Sequence, residues 1–159
     1  RAVTPDAARR RADLRALARG VGAGLVAQGE GDLGARMARA LAVQGRRGPA
    51  LVVGTDVPEL APRHVAAALA GLRRARTVFG PAEDGGYWLV GVRGGAQGSL
   101  PPGALEHVRW SGPHALADSR ASLPPGWPVL VLTERLADLD EGNDWTRFSA
   151  RGGRIGVVG

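Results

Sequence analysis

The stretch Ala50-Leu51-Val52-Val53 contains no polar residue and stops at Gly54-Thr55-Asp56-Val57-Pro58. Consecutive apolar residues on a strand point to both of its faces, so both faces must be covered. That requirement restricts the chain to an α/β sandwich in which helices flank a mostly parallel sheet. Sheets of this kind bind ligands beyond the carboxyl ends of their strands. Asp56 stands at such an end, and Pro58 stiffens the turn that follows it.

The remaining elements agree with that frame. Val3-Thr4-Pro5-Asp6 reads as a strand end passing into a helix that stops at Gly20. Gly24 to Ala27 is a short strand. Asp32 can cap the next helix, which carries Leu33, Met37, Ala40 and Leu41 on one face and ends at Gly45. Pro62 opens a helix with Val65, Leu69 and Leu72 on one stripe. Thr77 to Gly80 and Gly86 to Val92 are strands with a hairpin-like junction between them. A helix is expected over Pro113 to Ser122, a strand over Pro128 to Leu132, and a last short helix over Asp144 to Ala150. No repeat or linker divides the chain, so residues 1–159 are expected to form one domain.

Composition removes several classes of function. The chain has no cysteine, which excludes disulfides, thiolate catalysis and cysteine-based zinc sites. The histidines, His64, His107 and His114, do not pair at metal-ligand spacing. A bound metal would therefore be a hard cation held by oxygens, Mg²⁺ or Mn²⁺. No apolar run is long enough to span a membrane and no signal peptide opens the chain, so a cytoplasmic location is expected. The first residue is Arg1 rather than Met, so an incomplete or processed chain is expected. The net charge is +6, and all 21 basic residues are arginines. They are spread along the chain, and aromatics make up only 4%. That pattern suits solvated helix faces better than a nucleic-acid groove. A basic protein still attracts anionic small molecules such as nucleotides.

Several segments carry chemistry. Asp56 can hold a divalent ion that bridges two phosphates, or can simply cap the following turn. In Gln28-Gly29-Glu30-Gly31-Asp32-Leu33-Gly34, Gln28 can read a base edge, and Gly34 permits close approach of a planar ring. A flexible turn with an N-cap explains the same residues. In Glu83-Asp84-Gly85-Gly86-Tyr87, paired acids before paired glycines can bind a hydroxylated acceptor or act as a base towards it. An acidic turn between strands is the plainer account. Asp138-Leu139-Asp140 places both carboxylates on one side of an extended segment, where either can join Asp56 on an ion. Trp110, after Val108-Arg109, can stack on a ligand or close the core, and the core is the reading preferred.

Taken in order, Gln28 to Met37, Gly54 to Leu60 and Gly80 to Gly91 resemble the bacterial radical-SAM/selenodomain-associated transferases, a largely uncharacterised family of GT-A-like glycosyltransferases. The resemblance covers about residues 1–150. The family is similar in turn to sugar-phosphate nucleotidylyltransferases and to 2-phospholactate guanylyltransferase. The resemblance implies a nucleotide-diphospho-sugar-transferase fold, with Asp56 as metal ligand and catalytic residue. It implies Gln28, Gly29, Asp32, Gly34, Arg36 and Met37 beside the nucleotide. Glu83, Asp84, Gly85, Gly86 and Tyr87 come near the acceptor, with the acids catalytic and the last three in binding roles. Asp138 and Asp140 match the family's late Asp-x-Asp and would complete the metal shell. Members begin with a strand and a glycine- and basic-rich phosphate loop upstream of the point where this sequence starts, so a sheet without its first strand is expected. After Trp110-Ser111 the family has a threonine-containing helix start, whereas Gly112-Pro113-His114 stands here.

The leading expectation is a metal-dependent enzyme that moves a sugar from a nucleotide-sugar to a small acceptor. A nucleotidyltransferase that attacks an NTP and releases pyrophosphate is the alternative. A domain that binds a nucleotide without turnover is a third.

Overall fold

The computed structural model describes residues 2–4, 12–20, 22–95 and 99–137. In chain order the elements are β1 (Ala2–Thr4), α1 (Ala12–Gly20), β2 (Leu25–Ala27), α2 (Leu33–Gly45), β3 (Ala50–Val53), α3 (Pro62–Gly71), β4 (Thr77–Pro81), β5 (Tyr87–Val92), α4 (Ala115–Ala121) and β6 (Val129–Val131). The helix expected over 144–150 lies outside the described residues.

The helices begin and end for local reasons. Asp32 caps α2 by accepting a 2.8 Å hydrogen bond from the Ala35 N–H. Gly34, Met37, Leu41 and Gly45 then fall on one buried stripe, the spacing a helix needs to face a sheet. α3 starts at Pro62, whose fixed φ suits the first turn. No side chain of Ala61 can cap that helix. Instead the buried His64 ring reaches back, and its Nδ1 accepts from the Ala61 N–H at 2.9 Å.

β1 and β2 pair in parallel. The other strands form a second sheet in the order β3-β5-β4-β6. β4 and β6 are parallel, while β5 runs antiparallel to both of its neighbours. Three strands of this sheet therefore point one way, with β5 reversed among them. The reversal follows from connection length: residues 82–86 make a tight turn, and a parallel partner would need a crossover of a dozen residues or more. The β4–β5 register shifts at Gly80/Pro81, where proline has no N–H to give to the ladder.

Residues of the sheet feed two cores. Phe79, Val90 and Val92 pack with Met37 and Leu41 of α2 and with Leu105. Val78, Leu89 and Trp88 pack with Ala68 and Leu72 of α3 and with Leu136. Helices thus cover both faces, as the apolar β3 run demands. Leu41 and Phe79 are fully buried, and each such burial stabilises by about 2 kcal/mol. Among the described residues no helix is long and apolar enough to cross a membrane.

Candidate active site

β3 delivers Asp56 to the carboxyl edge of the sheet. The Gly54 N–H still donates to the Trp88 carbonyl at 2.9 Å, so the strand stays in register one residue past Val53. Buried Val57 anchors the turn behind, and its carbonyl accepts from the Leu60 N–H at 3.2 Å. Asp56 itself is exposed between these fixed points.

The β4–β5 turn lies along the same edge. Asp84 shapes it: its Oδ1 accepts from the Gly86 N–H at 2.8 Å, closing an Asx turn. Ala82 N–H donates to the Gly86 carbonyl at 3.0 Å. Gly85 sits at φ +93°, and a Cβ there would run into the backbone of Pro113. Its carbonyl accepts from the Leu116 N–H at 3.2 Å, which ties the turn to the start of α4. Glu83 is exposed, and its N–H donates to the Leu136 carbonyl at 3.1 Å.

Tyr87 follows and turns inward. Its ring meets Phe79 edge-on at 5.1 Å and Trp110 at 6.3 Å. Ser119 Oγ donates to the Tyr87 hydroxyl at 3.2 Å. Burial pushes that hydroxyl up to about 12, and the Ser119 hydrogen bond only partly opposes the effect. The side chain of Tyr87 thus serves the core beneath the turn.

The third segment, Gln28 to Asp32, is held by two arginines of α2. Arg39 Nη1 donates to the Gln28 carbonyl and Nη2 to the Glu30 carbonyl, both at 2.8 Å. Arg36 Nε donates to the Gly31 carbonyl at 2.9 Å, and Nη1 reaches Gln28 Oε1 at 3.3 Å. Gly29, at φ +74°, lies against the Arg39 guanidinium. Gln28 is therefore presented on a braced loop, with Arg36 bracing it. Met37 faces the core.

Gly34 does admit a planar ring, but the ring belongs to the chain. A Cβ at Gly34 would collide with the Leu105 carbonyl and lie 3.0 Å from Cζ2 of Trp110. Trp110 packs against the core as expected, and it links the start of α2 to Tyr87. That contact ties the start of α2, and with it the Gln28 loop, to the β4–β5 turn, while Asp56 shares the turn's edge because β3 and β4 run in the same direction on either side of β5.

Asp138 and Asp140 lie outside the described residues. The segment that leads to them is placed: Leu136 bridges Ala82 in parallel, and Arg135 Nη1 donates to the Ala82 carbonyl at 3.1 Å. Among the described residues no cluster of three or more His, Asp or Glu side chains is present that could hold a metal ion.

Some structural residues gave little signal in the sequence. Asp118 takes both Nε (2.8 Å) and Nη2 (2.9 Å) of Arg109, and also its backbone N–H at 3.1 Å. The guanidinium holds the Asp118 carboxyl well below the usual carboxylate range. Glu134 Oε1 lies 3.2 Å from Arg63 and 3.0 Å from His64 Nε2, the latter without the alignment of a hydrogen bond. His64 first and Arg63 second hold its carboxyl below its ordinary value. Both pairs join residues distant in sequence or hidden in ordinary charged surroundings.

Comparison with known proteins places this architecture. The family model described as "Uncharacterized protein conserved in bacteria (DUF2064)" matches residues 1–112. No curated protein matches the chain. A similar solved structure is the "putative nucleotide-diphospho-sugar transferase" from Desulfovibrio desulfuricans G20. Its TM-score is 0.63 and the sequences are 27% identical, over 82% of this chain and 57% of that one. The present chain thus spans little more than half the length of that relative.

Proposed function

This chain belongs to the DUF2064 family of uncharacterized bacterial proteins, and on that premise we propose that it transfers a sugar from a nucleotide-diphospho-sugar to a small hydroxylated acceptor. The observation that carries the reading is the convergence at one sheet edge of exposed Asp56, the Glu83–Gly86 turn and the braced Gln28 loop. The similarity to a nucleotide-diphospho-sugar transferase supports it. The narrower grouping with radical-SAM/selenodomain-associated transferases rests on the same motifs.

Each segment has a part in this reading. The Gln28 loop holds the base, its rigidity reducing the ordering that binding would require. Asp56 would supply an exposed carboxylate to a Mg²⁺ or Mn²⁺ ion, and carboxylate oxygens suit such a hard cation. When bound, the ion neutralises charge on the departing diphosphate. Asp138 and Asp140 are the proposed further ligands, because the chain reaches them directly after Leu136, which is fastened beside Ala82 and Glu83. The acceptor oxygen attacks the anomeric carbon as the bond to the diphosphate oxygen breaks. Glu83 takes the acceptor proton, and Asp84 fixes the turn that aims it.

Thermal denaturation with Mn²⁺ and a panel of nucleotides tests the proposal. Nucleoside diphosphates and their sugars should raise the melting temperature above the value with Mn²⁺ alone. A ligand at a hundred times its Kd contributes about 2.7 kcal/mol. Stabilisation by NTPs with none by diphosphates would replace glycosyl transfer with nucleotidyl transfer.

A further inference from the structure

Charge is sorted between the two ends of this fold. The connections at the carboxyl edge, residues 28–32, 54–61, 82–86 and 132–137, carry Glu30, Asp32, Asp56, Glu59, Glu83, Asp84 and Glu134; Arg135 lies among them, and Arg36, Arg39 and Arg63 reach in from the helices. The connections at the opposite edge, residues 46–49, 72–76, 93–95 and 122–128, contain no acid at all. They hold Arg46, Arg47, Arg73, Arg74, Arg76 and Arg93.

These arginines form one surface. α2 and α3 cover opposite faces of the sheet, and both end at this edge. Arg93, after β5, lies between them: its Nε donates to the Leu72 carbonyl and its Nη2 to the Arg73 carbonyl, both at 2.7 Å. Its neighbour Gly94 lies against Gly48, directly after the Arg46-Arg47 pair. Arg46, Arg47, Arg73 and Arg74 are exposed, and none forms an ion pair with another described residue. Arginine at a helix end satisfies the helix dipole. That accounts for the pairs after α2 and α3 and for Arg93, which donates to the carbonyls at the end of α3, but not for the lack of any acid among them.

The surroundings indicate the partner. Val43, near the end of α2, is 48% exposed, and Leu69, near the end of α3, is 38% exposed. Exposed aliphatic residues beside arginines suit the boundary layer of a bilayer, where phosphate headgroups meet acyl chains. A polynucleotide would want stacking aromatics instead. Trp127, the aromatic ring of this edge, is already taken: it donates to Thr77 Oγ1 at 2.9 Å and lies 4.8 Å from the Arg76 guanidinium.

We propose that this arginine edge docks the protein reversibly on an anionic lipid surface, leaving the acidic edge turned towards solution. The test is co-sedimentation of the protein with vesicles of phosphatidylcholine alone, and with a third of the lipid replaced by phosphatidylglycerol. Binding is expected only to the anionic vesicles, and it should fall steeply as salt is raised. Each arginine lost weakens partition by about fivefold. Arg46→Glu/Arg47→Glu/Arg73→Glu/Arg74→Glu should therefore abolish it, with an unchanged circular dichroism spectrum. The milder Arg47→Gln/Arg74→Gln decides the matter if the quadruple variant does not fold, and it should bind more than tenfold more weakly. Equal binding by a folded variant, or no binding to anionic vesicles, overturns the proposal. So does tighter binding to single-stranded DNA or to polyglutamate than to the vesicles.

Discussion

Gly34 and Trp110, 76 positions apart, share one contact: the indole edge lies where a side chain on the first turn of α2 would begin. The Leu105 carbonyl closes the same space. This contact joins the Gln28 loop to the rest of the candidate site. Gly34→Ala should therefore push α2 away from Leu105 and Trp110 and destabilise the fold by about 1–3 kcal/mol, as overpacking does. Urea unfolding followed by tryptophan fluorescence measures it. A stability equal to the parent would mean the contact is slack.

Tyr87 is the sole tyrosine, so its ionisation can be followed by absorbance without interference from other tyrosines. Its folded value near 12 stands above the ordinary 10. Between those values the unfolded chain loses a proton that the folded chain keeps, so stability falls as pH rises through this window. Below pH 10 the contribution is complete. Absorbance titration should show tyrosinate appearing only near 12, or abruptly with unfolding. Titration near 10 in the folded protein would contradict the burial. Tyr87→Phe, which removes the hydroxyl that accepts the hydrogen bond from Ser119, should change stability by only about 1 kcal/mol.

The Arg109–Asp118 pair sets an acid limit. Its carboxyl is depressed in the folded state, so its contribution is present above the ordinary carboxylate value near 4 and is lost as pH falls below it. Glu134, depressed by His64 and Arg63, acts in the same direction. The melting temperature of the parent should drop as pH is lowered below about 4. Asp118→Asn should lower the melting temperature at neutral pH and flatten the acid slope. An unchanged slope would remove the pair from the account.

Much of this architecture was legible because its causes are local. The Ala50–Val53 run announces burial on both faces, Asp32 announces the start of α2, and Pro62 that of α3. Pairing was harder to read. The place of β5 between β3 and β4 depends on residues 36 to 42 positions away in its β3 partners, which no local pattern encodes. For the candidate site, the segments are recognisable in the sequence, but what their side chains touch is not. Asp84 proved to be the clasp of its turn, and the ring beside Gly34 is the protein's own Trp110. Arg39, which braces the Gln28 and Glu30 carbonyls, looked in sequence like any exposed helix arginine. A long flexible side chain does not reveal its partner until the fold brings the loop beneath it.

Asp56 carries the central claim, that the acidic edge binds a nucleotide through a divalent ion. It is exposed, and its neighbours Gly54 and Val57 fix the turn without its carboxylate. Asp56→Asn should therefore leave the stability of the free protein within about 0.5 kcal/mol of the parent. Calorimetric titration of a nucleoside diphosphate in Mn²⁺ is the direct measurement. The parent should bind only when the ion is present, and Asp56→Asn should bind at least about tenfold more weakly. Equal affinity for the two proteins in Mn²⁺ would contradict the account.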